Sequence, residues 1–192
     1  MTDPNAPIVT SSPLSKAVGW LIAAIALMGF LPILVLLIGT PFLPSMEWAA
    51  KSDWPGSLFG MAVGVVTAVF VLKRRDLNPK LADASVLKLS FTALGVAVMM
   101  WMMGFLTVMM SYPMITAWSA GEDTRLAYVV ADPVSRGGRG CRQAVKLHDM
   151  PFMFDNLCGT PPDMQQALRE GQTVYASGNG TDLGVFYDRF DW

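Results

Sequence analysis

Three long apolar runs, separated by short polar segments, fill most of the first 115 residues of the chain. They cover about residues 17–38, 54–72 and 89–110, and none of them contains a charged residue, a histidine or a cysteine. A helix of about 20 apolar residues is long enough to cross the roughly 30 Å hydrocarbon core of a bilayer. The pattern therefore predicts a transmembrane region over residues 17–115 with three spanning helices.

The pattern changes abruptly after Trp118, where short β-rich stretches are separated by glycine, aspartate and arginine. Alternation and turn residues predict one helix at 162–169 and four strands, at about 126–130, 144–147, 173–176 and 183–190. The expected fold class is a membrane α-helical bundle of three transmembrane helices plus a small, mostly β (α+β) extracytoplasmic module over residues 119–192.

The charged residues between the apolar runs predict an orientation. The loop 73–88 carries five basic residues, Lys73, Arg74, Arg75, Lys80 and Lys88. Basic loops remain in the cytoplasm, so the N-terminus is expected there and the C-terminal module in the periplasm or outside the cell. Residues 1–16 are expected to form a flexible cytoplasmic tail, and residues 40–56 a short outer connection with one turn of helix at 46–50. The size and organisation favour a multi-pass protein of a bacterial inner (plasma) membrane.

A cleaved signal peptide is the alternative interpretation of the first apolar run. The run is longer than the usual apolar region of about 7 to 15 residues in a signal peptide, and only Lys16 supplies a positive charge before it. Retention as a membrane helix is therefore favoured.

Small residues recur at every fourth position of the second run, at Gly56, Gly60, Gly64 and Ala68. Such a stripe lies on one face of a helix and allows another helix to approach closely in lipid. The stripe predicts packing against the first or third helix of this chain, and a homodimer or a foreign subunit are the alternatives.

The two cysteines, Cys141 and Cys158, both lie in the module that is expected outside the cytoplasm. That compartment permits disulfides, and closing a loop of about 17 residues would stabilise a small module by roughly 3 kcal/mol. A Cys141–Cys158 disulfide is therefore predicted. A metal site built from these cysteines with His148 and Asp155 is the alternative, but it lacks the paired spacing that is typical of zinc ligands.

Two glycine-rich segments of the module invite a binding interpretation. Arginines alternate with glycines before the first cysteine, at Arg136, Arg139 and Arg142. This loop is the candidate partner contact, because arginine pairs well with carboxylate and phosphate groups, and a solvated turn is the alternative. The segment 177–184 lacks the lysine and hydroxyl residue of a phosphate loop, and Asn179-Gly180 predicts a type I′ hairpin turn there.

The charge distribution excludes several function classes. Fourteen basic and fifteen acidic residues leave a formal net charge of −1, which argues against a broad nucleic-acid surface. Pumps and electron carriers place ionisable or ligating groups at membrane depth, and the three apolar runs contain none. No cofactor, metal or catalytic residue is predicted, and the expected partners are the lipid bilayer and a membrane or periplasmic protein, with a homo-oligomer as a further option.

The leading functional hypothesis is a non-enzymatic integral membrane protein, an accessory or interaction subunit whose exported module binds a protein partner. One alternative is a membrane immunity protein against a toxin that acts on the cell envelope. A second alternative is a small membrane enzyme acting on lipid or envelope substrates, with Arg136, Arg139 and His148 at its surface. The sequence alone does not choose a partner, a toxin or a substrate.

Overall fold

The computed structural model describes residues 13–74, 85–135, 144–151 and 154–191. Three long helices are followed by an antiparallel sheet. The helical elements are α1 (Pro13–Ile38), α2 (Met46–Lys73), α3 (Val86–Leu106), a π-helical segment (Thr107–Ser111), α4 (Tyr112–Ala120) and α5 (Pro162–Ala167). The strands are β1 (Phe42–Pro44), β2 (Glu122–Ser135), β3 (Ala144–Leu147), β4 (Asn156–Cys158), β5 (Thr173–Thr181) and β6 (Gly184–Asp191).

Three helices are long and apolar enough to span a membrane, and the third runs without a break from Val86 to Ala120. All three are longer than the apolar runs indicate. The helix α2 already begins at Met46, because the Ser45 hydroxyl accepts the Trp48 backbone N–H at 3.2 Å and caps it. The expected separate turn at 46–50 is thus the first turn of α2, and Pro55 lies inside that helix.

The glycine stripe of α2 faces α3. A Cβ added to Gly60 would overlap the backbone carbonyl oxygen of Trp101, and one added to Gly64 would overlap that of Ala97. At Gly56 the added atom would lie 3.4 Å from the Phe105 ring. Because residue numbers rise along α2 as they fall along α3, the two helices pack antiparallel at backbone contact distance.

Two helix prolines lie near the junction of the bundle with the sheet, and side chains from other helices bond backbone carbonyls close to them. Pro32 cannot donate to the Met28 carbonyl, which accepts the Ser111 hydroxyl at 2.5 Å. Pro113 follows the π-helical segment, in which the Met109 carbonyl accepts the Trp48 indole N–H at 3.2 Å. The junction is therefore tied to α1 and to α2 by hydrogen bonds.

The sheet is curled into half a barrel, in the strand order β1-β6-β5-β2-β3-β4. The long strand β2 pairs with β5 along residues 122–129 and with β3 along residues 130–135, where register shifts bend it. The concave side holds the core. Its largest fully buried side chains include Tyr128, Val130, Leu157, Met164 and Val174.

Both edge strands of the half-barrel bond with buried tyrosines from its interior. The Tyr128 hydroxyl lies 3.2 Å from the Pro44 carbonyl of β1. The Tyr187 hydroxyl accepts the backbone N–H of Cys158 in β4. These two bonds satisfy backbone groups at edges that no further strand covers among the described residues.

The sheet sits directly on the helix bundle. Its strand β1 comes from the connection between α1 and α2, and the rings of Phe42 and Phe186 pack 4.8 Å apart. Asn179 donates its side-chain amide to the Ala117 carbonyl of α4 at 3.3 Å. A second apolar cluster, which includes Met110, Met114 and Ala117, fills the junction.

The strands and turns predicted from the sequence need correction at three places. Residues 42–44 and 156–158 form strands that were not expected, and the predicted turn at Asn179-Gly180 is wrong. Both of those residues lie inside β5, and the chain reverses at Asp182 and Leu183. The reason is steric: an added Cβ at Gly178 would overlap the Phe186 carbonyl oxygen, so the glycines serve close strand approach.

Candidate functional site

The convex side of the sheet carries a connected group of charged and aromatic side chains, termed the charged sheet face. It comes from three adjacent strands, β2, β5 and β6. Its members are Asp123, Arg125, Tyr175, Asp188, Arg189 and Asp191.

Strand register places these side chains side by side. Arg125 pairs with Ser177, which in turn pairs with Arg189. Tyr175 occupies the neighbouring row, opposite Asp191. The register shifts between Ser177 and Gly178, which leaves Asp188 as an extra residue on β6 beside Arg189.

Each arginine of the face is held by several partners. The Arg125 guanidinium stacks 4.1 Å from the centre of the Tyr175 ring and lies 3.7 Å from an Asp191 carboxylate oxygen. Arg189 lies 3.1 Å from oxygens of both Asp123 and Asp188. The hydrogen bond and charge of Asp188, followed by the charge of Asp123, raise the pKa of Arg189 above its usual range.

These pairs stabilise the fold little, because the five charged side chains of the face are all more than half exposed. The main effect of these pairs is to hold the two arginine side chains in place. Stacking and ion pairs reduce the number of rotamers that the two arginines can adopt, which lowers the entropy lost when a partner binds. Arginine and tyrosine are also enriched at the centres of protein interfaces.

The opposite side of the same strands is buried, and its environment alters two phenols. Burial raises the pKa of Tyr187 from 10.0 to about 12, and the backbone N–H of Cys158 offsets part of the increase. Burial also raises the pKa of Tyr128, with a smaller contribution from Tyr187. Both hydroxyls therefore remain protonated at any physiological pH and act as structural hydrogen-bonding groups.

A cleft of about 340 Å³ lies at the junction between α2, the π-helical segment and the loop after β3. Its lining includes the carboxylates of Asp53 and Asp149 and the thioethers of Met109 and Met150. Asp149 adopts a left-handed backbone conformation with φ of 55°, which aspartate tolerates in turns. The described lining residues include neither a base nor a nucleophile beside these groups.

The residues singled out in the sequence fall into separate regions. Gly56, Gly60 and Gly64 lie between α2 and α3, which is an internal packing role, and Ala68 follows them on the same helix. The arginine loop of Arg136, Arg139 and Arg142 lies outside the described residues. Cys158 is in the edge strand β4, but Cys141 also lies outside the described residues, so the disulfide stays a prediction.

The groups considered for catalysis or metal binding are not assembled into one site. His148 is exposed at the end of β3, where its backbone N–H donates to Val129. Asp155 pairs with Lys146 at 3.5 Å. Within residues 13–74, 85–135, 144–151 and 154–191, no three His, Cys, Asp or Glu side chains are grouped to hold a metal.

The charged sheet face was missed in the sequence, although part of it follows a simple pattern. Asp123 and Arg125 alternate with residues 124, 126 and 128, which point toward the core, as the period of a half-buried strand requires. The register shift at Asp188 hides the corresponding pattern in β6. Only the paired strands reveal that the two arginines lie in one row across the sheet, with Ser177 between them.

No protein-family model matches the chain, and neither a characterised protein nor a solved structure is significantly similar to it.

Proposed function

We propose that this chain is a non-enzymatic integral membrane protein, an accessory or interaction subunit whose C-terminal module binds a protein partner outside the cytoplasm. The three apolar helices anchor it in a bacterial inner membrane. The N-terminus and the 73–88 loop then face the cytoplasm.

The observation that carries the proposal is the charged sheet face. It presents two arginines and a tyrosine held by stacking and ion pairs, with acidic groups around them. A complementary partner would meet Arg125 and Tyr175 with a carboxylate and an apolar or aromatic side chain.

Attachment of the sheet to the helices supports the same proposal. The hydrogen bond of Asn179 and the apolar junction connect the module to the third helix, and the hydrogen bonds of Trp48 and Ser111 connect that helix to α2 and α1. A partner held at the sheet is therefore held at a defined position relative to the membrane, as an accessory subunit requires.

Site-specific photo-crosslinking in cells tests the proposal. A benzoylphenylalanine placed at Tyr175 should crosslink one protein that mass spectrometry identifies reproducibly, and Arg125→Glu together with Arg189→Glu should reduce that product at least tenfold. Arg169→Glu is the matched control, because it reverses an exposed arginine elsewhere on the module. Equal crosslinking at Tyr175 in all three backgrounds would contradict the proposed face.

A further inference from the structure

Four basic side chains lie at the end of the helix bundle that is remote from the sheet, termed the basic end. They are Lys16 on α1, Lys73 and Arg74 at the end of α2, and Lys88 on α3. The α2–α3 contact fixes their level: Gly64 packs on Ala97, Lys73 follows Gly64 by nine residues and Lys88 precedes Ala97 by nine. Both lysines therefore lie about 14 Å from that contact, in the same direction along the bundle.

The helix α1 reaches the same level. A Cβ added to Gly19 would lie 3.8 Å from the Phe70 ring of α2. Lys16 precedes Gly19 by three residues, and Lys73 follows Phe70 by three. All three helices thus place a cation within one turn of the same plane.

Among the described residues of the basic end, no carboxylate balances these cations. The helical residues 13–24, 64–74 and 85–97 contain the four basic residues and no aspartate or glutamate. The sequence that connects α2 to α3 adds two basic and two acidic residues, so its own net charge is zero. At the other end of α2, by contrast, Lys51 is paired with Glu47 at 2.5 Å.

Apolar surface begins directly below the cations. Leu21 on α1 and Phe91 on α3 are each more than 60% exposed, and Trp20 lies one turn from Lys16 with 76% of its surface exposed. The Arg74 guanidinium rests 4.8 Å from the centre of the Phe70 ring. The cations and the apolar helix surface below them are complementary to the anionic headgroup of a phospholipid and the acyl chains below it.

We infer that the basic end binds the headgroup of an anionic phospholipid, with phosphate oxygens between Lys73, Arg74 and Lys88 and the acyl chains along α1 and α3. Ammonium and guanidinium groups bond phosphate oxygens strongly, and basic residues just outside a membrane span attract anionic lipid. The inference rests on the proposed membrane insertion and extends it to a lipid class.

Native mass spectrometry of the full chain, released from nanodiscs of equimolar phosphatidylglycerol and phosphatidylcholine, tests this inference. The wild-type protein should retain phosphatidylglycerol in clear excess over phosphatidylcholine. Lys73→Gln, Arg74→Gln and Lys88→Gln should each lower the ratio of the two lipids roughly fivefold. Lys51→Gln, at the opposite end of α2, should leave the ratio unchanged, and Lys73→Arg with Lys88→Arg should preserve it because the charges remain.

Equal retention of both lipids by the wild-type protein would overturn the lipid site, and so would an unchanged ratio in all three glutamine variants. Membrane insertion is tested separately by alkaline carbonate extraction. A protein that stays in the membrane pellet but shows no lipid preference keeps the proposed anchoring and loses the lipid site, whereas a protein released by carbonate contradicts the anchoring itself.

Discussion

At the scale of single residues, the two buried tyrosines show how the half-barrel ends without closing. Each hydroxyl satisfies a backbone group of an edge strand from inside the core, Tyr128 at Pro44 and Tyr187 at Cys158. Because these hydrogen bonds come from inside the core, they leave the outward-facing surface of each edge strand unchanged. Because both phenols are buried, ionisation of either one should destabilise the module.

Raising the pH should destabilise the module in a defined window. The folded state keeps the Tyr187 proton up to a pKa of about 12, whereas an unfolded chain releases it near 10. The contribution of Tyr187 to the free energy of unfolding should therefore be constant well below pH 10 and fall as the pH rises toward 12. Denaturant titrations in detergent, followed by tryptophan fluorescence, measure it. Tyr187→Phe should flatten this slope, and an identical slope in both proteins would contradict the assignment.

Ser111 offers a second test at this scale, because its hydroxyl bonds the carbonyl that Pro32 leaves without a donor. Ser111→Ala should cost about 1 kcal/mol of stability. Pro32→Ala restores a backbone donor for Met28, so Ser111→Ala should cost less in that background. Thermal unfolding of the two single variants and the double variant measures the coupling; strictly additive effects would show that the two residues do not share the carbonyl.

At the scale of elements, the apolar runs were sufficient to predict the three long helices, but not their ends. The helix α2 starts eight residues before its apolar run because Ser45 caps it. The strands depended more on distant partners. The three-residue strand β1 forms only by pairing with β6, whose paired residues are 140 to 144 positions away, so no local pattern indicates it. The glycines of β5 look like turn residues in the local sequence. They are needed for close contact with another strand, which the local pattern does not show.

The α2–α3 contact gives a prediction with an internal control. Gly60→Ala should destabilise the bundle by about 1–3 kcal/mol, because its Cβ would overlap the Trp101 backbone. Gly95→Ala should be neutral or slightly stabilising, because its Cβ meets nothing within 4 Å and alanine favours the helix. Thermal unfolding in one detergent compares the two variants. A smaller loss at Gly60 than at Gly95 would contradict the packing.

At the scale of the whole molecule, some features of the candidate site follow from the local sequence, and others depend on residues that are far apart in the chain. Composition and charge were enough to expect a polar module after the helices, and the arginine-glycine loop was an obvious contact candidate. The charged sheet face depends on strand pairing and on one register shift, which a single sequence does not display. The antiparallel order of the helices places the basic end on one side of the bundle and the sheet on the other.

The separation of the basic end from the sheet predicts the orientation of the chain in a membrane. Because the basic end should remain in the cytoplasm, alkaline phosphatase fused after Asp76 should be inactive, and fusions after Thr40 or Trp192 should be active. Phosphatase activity, normalised to the amount of each fusion protein, measures this in intact cells. The reverse pattern would place the module in the cytoplasm, where a Cys141–Cys158 disulfide would not persist. An active fusion at all three positions would instead show that the second apolar helix does not cross the membrane.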